Sequence, residues 1–243
     1  MNPLKLFSDL VHDYAYVARR QYDVLRSGAK PETYLTGSKR AVVILPGIYE
    51  DWRFMLPLVE RLSASGHPVH VVPELRHNRD VITDSAVLVA GMLEQRDLRD
   101  VVIVAHSKGG LIGKQVLIDD ATAQATGGPI RVAHLVAINT PFAGSAYARY
   151  AIRRELRDFS PTDALLKRFA TILDINERIT SIFSTVDPVV PDGSLLPGAH
   201  RNIRMPFLGH FRILADVRVL AIVDAIAEAP PVEAPTPPRP LVE

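Results

Sequence analysis

The chain has no cysteine among its 243 residues, which removes disulfides, thiolate metal sites, iron–sulfur clusters and cysteine nucleophiles together. The redox compartment stays open, because a cysteine-free chain suits either. Charge of one sign is also lacking, since 28 lysines and arginines stand against 27 aspartates and glutamates. No global field recruits nucleic acid, and no nucleic-acid partner is expected. No apolar run approaches the roughly 20 residues that span a bilayer. In the first segment Asp9, His12 and Asp13 interrupt the apolar stretch that a secretion signal needs. The expectation is a cytoplasmic protein with one main domain, because 47% hydrophobic content over this length buries a substantial core.

What is present falls into three stretches. Over residues 1–28, Leu4, Phe7, Leu10, Val11, Tyr14, Val17, Ala18, Val24 and Leu25 recur at three- and four-residue steps. They predict one long amphipathic helix, with Lys5, Asp9, Asp13, Arg19, Arg20 and Asp23 on its opposite side. Such a helix lies against the domain, with weak contact to a membrane surface or a partner as the alternative. Residues 29–229 alternate short β-branched runs with helical stretches, and the runs do not alternate in polarity. That texture predicts an α/β fold, a doubly wound and mostly parallel sheet with helices on both faces. The charged segment 141–178 reads equally as a small cap or as a crossover helix with a loop. The tail over 230–243 is dominated by proline and predicts an extended, flexible end. Nothing in the pattern specifies an oligomer.

The stretch "VVIVAHSKGG" carries the chemistry. A strand, then small-x-Ser-x-Gly, then a helix makes a turn that lifts the serine hydroxyl above the sheet. Ala105 and Gly109 supply the small residues that the close approach of strand and helix requires. A serine needs a base, and the base needs a buried acid to orient it. Asp187 follows one predicted strand in "FSTVDPVV", and His210 follows the next in "MPFLGHFRIL". Both therefore fall at the carboxyl edge, in the order serine, acid, histidine. Asp192 reads instead as a turn residue in "PDGS", and His200 precedes the last strand. His106 is expected to pack under the turn. With His12, His67, His70, His77 and His134 it lacks companions at ligand spacing, so neither metal nor cofactor is expected. Two backbone N–H groups are needed for an oxyanion, and Ile48, after Pro46 and Gly47, and Lys108, after the serine, are the candidates.

The segments "ILPGIYEDW", "IVAHSKGG", "INTPFAGSAY", "TSIFSTVDPVV" and "NIRMPFLGHFRIL" resemble, in order, the signature segments of α/β-hydrolase fold bacterial triacylglycerol lipases and esterases. The resemblance covers roughly residues 40–228 and excludes the first helix and the tail. It implies hydrolysis of a small-molecule acyl ester of medium size, or of a lipid, through an acyl-serine, with Ser107, Asp187 and His210 as triad. Acyl transfer or thioester hydrolysis on the same triad are alternatives, and a non-catalytic binding module is the alternative of a different class. The chain departs from the pattern in its oxyanion loop, where Pro46-Gly47 replaces His-Gly. Tyr49 stands where glycine is common and is expected to narrow the acyl entrance. Phe142 is the second pocket candidate, in "NTPFAGS", where the lipases carry a His-Arg-type pair. Lys108 replaces a methionine, glutamine or histidine, and its cation is expected to favour an anionic feature in the substrate.

Overall fold

The computed structural model describes residues 3–150 and 153–230. Helix α1 spans Pro3–Arg26 and precedes β1 (Val42–Leu45), α2 (Leu56–Ala64), β2 (Val69–Val71), α3 (Ile82–Gln95) and β3 (Val101–His106). There follow α4 (Lys108–Ala125), β4 (Val132–Ile138), α5 (Arg154–Arg157), α6 (Ala164–Thr171), β5 (Ile179–Val186), β6 (Arg201–Leu208) and α7 (Val217–Glu228). Among the described residues no helix is long and apolar enough to cross a membrane. Of the proline-rich tail, residues 231–243 lie outside the described residues.

The six strands form one sheet in the order β2-β1-β3-β4-β5-β6, and every adjacent pair is parallel. The absence of alternation in the sequence has a direct cause, since each central strand is buried on both faces. Val43, Leu45, Ile103, Ala105, Leu135 and Ala137 enter one core, with residues of α3 and α4. Val42, Ile44, Val102, Val104, Val136 and Ile138 enter the other, with residues of α2 and α7. The chain reverses its direction of strand addition between β2 and β3. The loops after β1 and β3 therefore meet at a topological switch point, where open α/β sheets leave a crevice.

Residues 141–178 form the crossover from β4 to β5. Phe142, Ala148, Phe159, Leu166, Phe169 and Ile175 of this segment are buried in the first core. Lys114 of α4 stitches it down, donating from Nζ to the Phe169 carbonyl at 2.8 Å, with the ammonium 5.6 Å from the Phe169 ring centroid. Burial pushes this lysine down to about 8, the cost of desolvating a cation among apolar groups.

Helix α1 forms as the periodicity predicts, but its faces are sorted differently. Tyr16 and Val17 pack on the second core, with Tyr16 edge-on to Phe54 at 6.1 Å. Asp13 and Arg20, expected on the outer side, face the body instead. Arg20 donates to the Arg53 carbonyl at 2.7 Å, and Asp13 is buried. Phe7, Val11, Tyr14 and Leu25, expected inward, are exposed. Specific acceptors on the body for two polar side chains outweigh the apolar count of the other face.

Strand and helix backbones come very close at Gly109, where a Cβ would lie 2.3 Å from the Leu45 carbonyl oxygen. A backbone atom cannot yield as a side chain does. Gly109→Ala is accordingly expected to destabilise by about 3 kcal/mol or more, read as a lowered urea midpoint.

Candidate active site

Between β3 and α4 stands a single residue, Ser107, at φ 50° and ψ −119°. Positive φ in a residue with a Cβ costs about 1–3 kcal/mol and persists only where the surroundings impose it. Here the Ser107 N–H donates to the Ile138 carbonyl at 2.9 Å, and its own carbonyl accepts from Gly110 at 3.0 Å. The turn is thus held by β4 on one side and by the start of α4 on the other. The Ser107 side chain lines a cavity of about 210 Å³ with Ile48, Pro141, Tyr147, Leu156, Phe159 and Val190, among others.

Asp187 and His210 come together as the sequence order predicts. Both are buried, and His210 Nδ1 lies 2.6 Å from Asp187 Oδ2. A carboxylate accepts and does not donate, so Nδ1 carries the proton and Nε2 is left as the basic nitrogen. Asp187 Oδ1 accepts from the N–H groups of Val189 and Val190, at 2.8 and 3.0 Å, which holds the carboxylate in one orientation. Among the described residues neither Ser107 Oγ nor His210 Nε2 makes a hydrogen bond to protein. Catalytic contacts are commonly long before a substrate is bound.

The backbone of His210 is pinned at both ends. Its carbonyl accepts from Asn139 Nδ2 at 2.9 Å and from His106 Nε2 at 3.1 Å. Its N–H donates to Asp13 Oδ2 at 2.7 Å, and Asp13 also accepts from Phe211 at 3.0 Å and from Arg212 at 2.8 Å. Gly209 makes room for this carboxylate, since a Cβ there would lie 2.5 Å from Asp13 Oδ1. Asp13, Asn139 and Glu50 escaped the sequence reading. Asp13 read only as one charge on a helix face, and nothing local signals a partner 197 residues away.

Glu50 is buried under the loop after β1. It accepts from the Gly47 N–H at 2.7 Å and from His106 Nδ1 at 2.9 Å. Burial pulls the His106 imidazolium down, but the adjoining Glu50 carboxylate and the His210 carbonyl more than offset it and the pKa is raised. With acceptors at both ring nitrogens, the doubly protonated ring satisfies them together. His106 therefore packs under the turn as expected, as half of an ion pair. Its ring centroid stands 4.8 Å from that of His210.

The loop after β1 spends most of its N–H groups internally. Gly47 donates to Glu50, Tyr49 donates to the His77 carbonyl at 2.7 Å, and Glu50 donates to the Gly47 carbonyl at 3.3 Å. Among the described residues the Ile48 N–H has no protein acceptor. Neither has the N–H of Lys108, which opens α4 and has no preceding turn to donate to.

Three expectations are corrected. Lys108 does not face a substrate, because its side chain is fully buried and donates to the carbonyls of Asn78, at 2.9 Å, and Asp80. Burial pushes its ammonium down to about 8, against the pull of Asp158, Asp80 and Glu155. Lys108 is thus a strut under the loop at 78–80, which in turn holds the Pro46 carbonyl through Asn78 Nδ2 at 2.6 Å. Tyr49 does not narrow the cavity, because φ 63° turns it toward Glu155, to which its hydroxyl donates at 3.1 Å. Phe142 packs in the first core rather than lining the cavity. Tyr147 and Phe159, on either side of α5, line it instead. Of the rivals to the acid and the histidine, Asp192 accepts from the Ala146 N–H at 2.9 Å, and His200 sits edge-on to His134 before β6. Among the described residues no three His, Asp or Glu side chains gather as a metal would need.

Solved structures share this fold. The mature lipase BlEst2 of Bacillus licheniformis covers 79% of this chain and 93% of its own, at 15% identity and a TM-score of 0.61. Lipase B of Aspergillus fumigatus covers 79% of this chain and 53% of its own, at 14% identity and 0.62. A monoacylglycerol lipase of Paleococcus ferrophilus covers 79% and 96%, at 13% identity and 0.54. The chain has the α/β-hydrolase fold. No protein-family model and no curated protein matches it.

Helix α1 reaches the His210 loop chiefly through the Asp13 carboxylate. Asp13→Ala orphans three N–H groups, each costing about 1–3 kcal/mol when left buried and unpaired. The thermal midpoint is expected to fall, and amide exchange at His210, Phe211 and Arg212 to accelerate. Asp13→Asn, with one acceptor oxygen left, recovers part of both.

Proposed function

We propose that the chain is a serine hydrolase of carboxylic esters, esterase- or lipase-like. The observation that carries this reading is the buried 2.6 Å bond between Asp187 and His210 at the strand edge where Ser107 stands in its strained turn. In the proposed reaction Ser107 Oγ attacks the ester carbonyl while His210 Nε2 takes its proton. Asp187 keeps the imidazole in the required tautomer and stabilises the imidazolium. The unspent N–H groups of Ile48 and Lys108 receive the oxyanion. Collapse returns the proton to the leaving alcohol and leaves an acyl-serine, which water hydrolyses through the same histidine.

The cavity beside Ser107 is small and largely apolar in its lining, which favours a short to medium acyl chain. Among the described residues no charged side chain lines it. Butyryl esters of p-nitrophenol are therefore expected to react faster than palmitoyl esters.

Ser107→Ala is expected to lower turnover by roughly 10⁶-fold, as when the members of a triad act as a unit. A fluorophosphonate probe is expected to label the native chain at Ser107. An alanine variant that hydrolyses esters at the native rate, or a native chain that stays unlabelled, would overturn the reading. Because Lys108 is turned inward, Lys108→Met is expected to lower the melting point while leaving the ratio of rates on neutral and carboxylated esters unchanged.

A further inference from the structure

Helix α1 has a second face that the fold leaves largely exposed. Phe7, Val11, Tyr14, Tyr22 and Leu25 are 68%, 49%, 53%, 55% and 85% exposed. With exposed Ala18 they recur at steps of three and four residues. At about 100° per residue they fall within an arc of about 80°, a single apolar stripe about 27 Å long. Isolated exposed apolar residues are ordinary, but a continuous stripe of this length is not.

The charges of the helix are sorted around that stripe. Two of its three carboxylates contact the body, and the third pairs within the helix. Asp13 holds the 210–212 amides, Asp9 meets Arg212 at 3.4 Å, and Asp23 meets Arg20 at 3.1 Å. His12, Arg19 and Arg26, spaced by seven, follow one border of the stripe and are exposed. Among the described residues the Arg26 side chain contacts only Tyr22 of the same helix. Among the described residues the stripe and its border at His12, Arg19 and Arg26 are therefore apolar and basic.

We infer that this face of α1 docks the protein on an anionic lipid surface. A helix with aromatic and aliphatic side chains along one stripe and cations at its border lies in the headgroup plane, with the stripe in the acyl boundary. Each arginine near a negatively charged leaflet adds about 1 kcal/mol of attraction. A second copy of the chain fits this face poorly. An antiparallel two-fold contact across the stripe sets the basic borders of the two copies side by side, where they repel. The helix also borders the cleft, since Leu10 lines a groove with Tyr147, Asp187, Pro188 and Val190. Docking through α1 thus brings the groove beside the lipid. The inference concerns binding and stands whether or not the proposed ester hydrolysis is correct.

The test uses the full chain as Ser107→Ala, so that vesicles stay intact, in flotation with phosphatidylcholine alone or mixed with phosphatidylglycerol. Co-flotation is expected with the mixed vesicles and to weaken as salt is raised. Arg19→Gln with Arg26→Gln is expected to weaken partitioning by roughly thirtyfold. Phe7→Ser with Val11→Ser and Leu25→Ser is expected to abolish it, with an unchanged melting point showing that the exposed replacements leave the fold intact. Absence of binding to the mixed vesicles overturns the inference, as does binding that survives the triple replacement. Dimers that form in solution and dissociate on the same replacement, without vesicle binding, would assign the stripe to a second copy.

Discussion

The backbone of Ser107 sits in a conformation that a residue with a Cβ avoids, and the structure around it is arranged to impose that conformation. β3 must end where its last amides still pair with β4, and α4 must begin one residue later against β1. Gly109 lies too close to the Leu45 carbonyl to carry a side chain. The approach of β1, β3 and α4 sets the position of everything else at this edge. The switch point of the sheet, the crevice beside it and the loop after β1 all follow from strands packed on both faces by helices.

Around this turn the buried charges are structural before they are chemical. Glu50 ties the loop after β1 to His106, and His106 ties the end of β3 to the His210 carbonyl. Lys108, next in sequence to the serine, reaches away from the cavity and fastens the loop at 78–80. Each group gives up hydration on burial, and each recovers it through hydrogen bonds with good geometry. The outcome is a rigid frame in which His210 has its carbonyl and N–H fixed and its ring held by Asp187.

The N-terminal helix completes that frame from outside the sheet. Asp13 substitutes one carboxylate for the acceptors that three consecutive amides after Gly209 would otherwise lack. The same contact orients the helix and so decides which side faces outward. Because its inner face is bought with polar contacts, Phe7, Val11, Tyr14 and Leu25 are left exposed beside basic residues. Attachment to the His210 loop and presentation of an apolar, basic surface are two consequences of one orientation.

The sequence by itself determined the strands, their burial on both faces, the parallel sheet, and the placement of Ser107, Asp187 and His210 at the carboxyl edge of the strands. These follow from local signals, namely unalternating β-branched runs, small residues around a serine, and an acid and a histidine each placed after a strand. Tertiary structure alone decided where long or buried polar side chains go. Lys108 turns inward, Tyr49 turns to Glu155, and Phe142 sinks into the core, because the available carbonyls, carboxylates and apolar space lie on other elements. Asp13, Glu50 and Asn139 became visible as supports of His210 only once segments far apart in the chain were brought together. Periodicity counts apolar residues along one helix and carries no information about which hydrogen-bond acceptors wait on the surface it meets. For that reason the helix was legible from the sequence and its orientation was not.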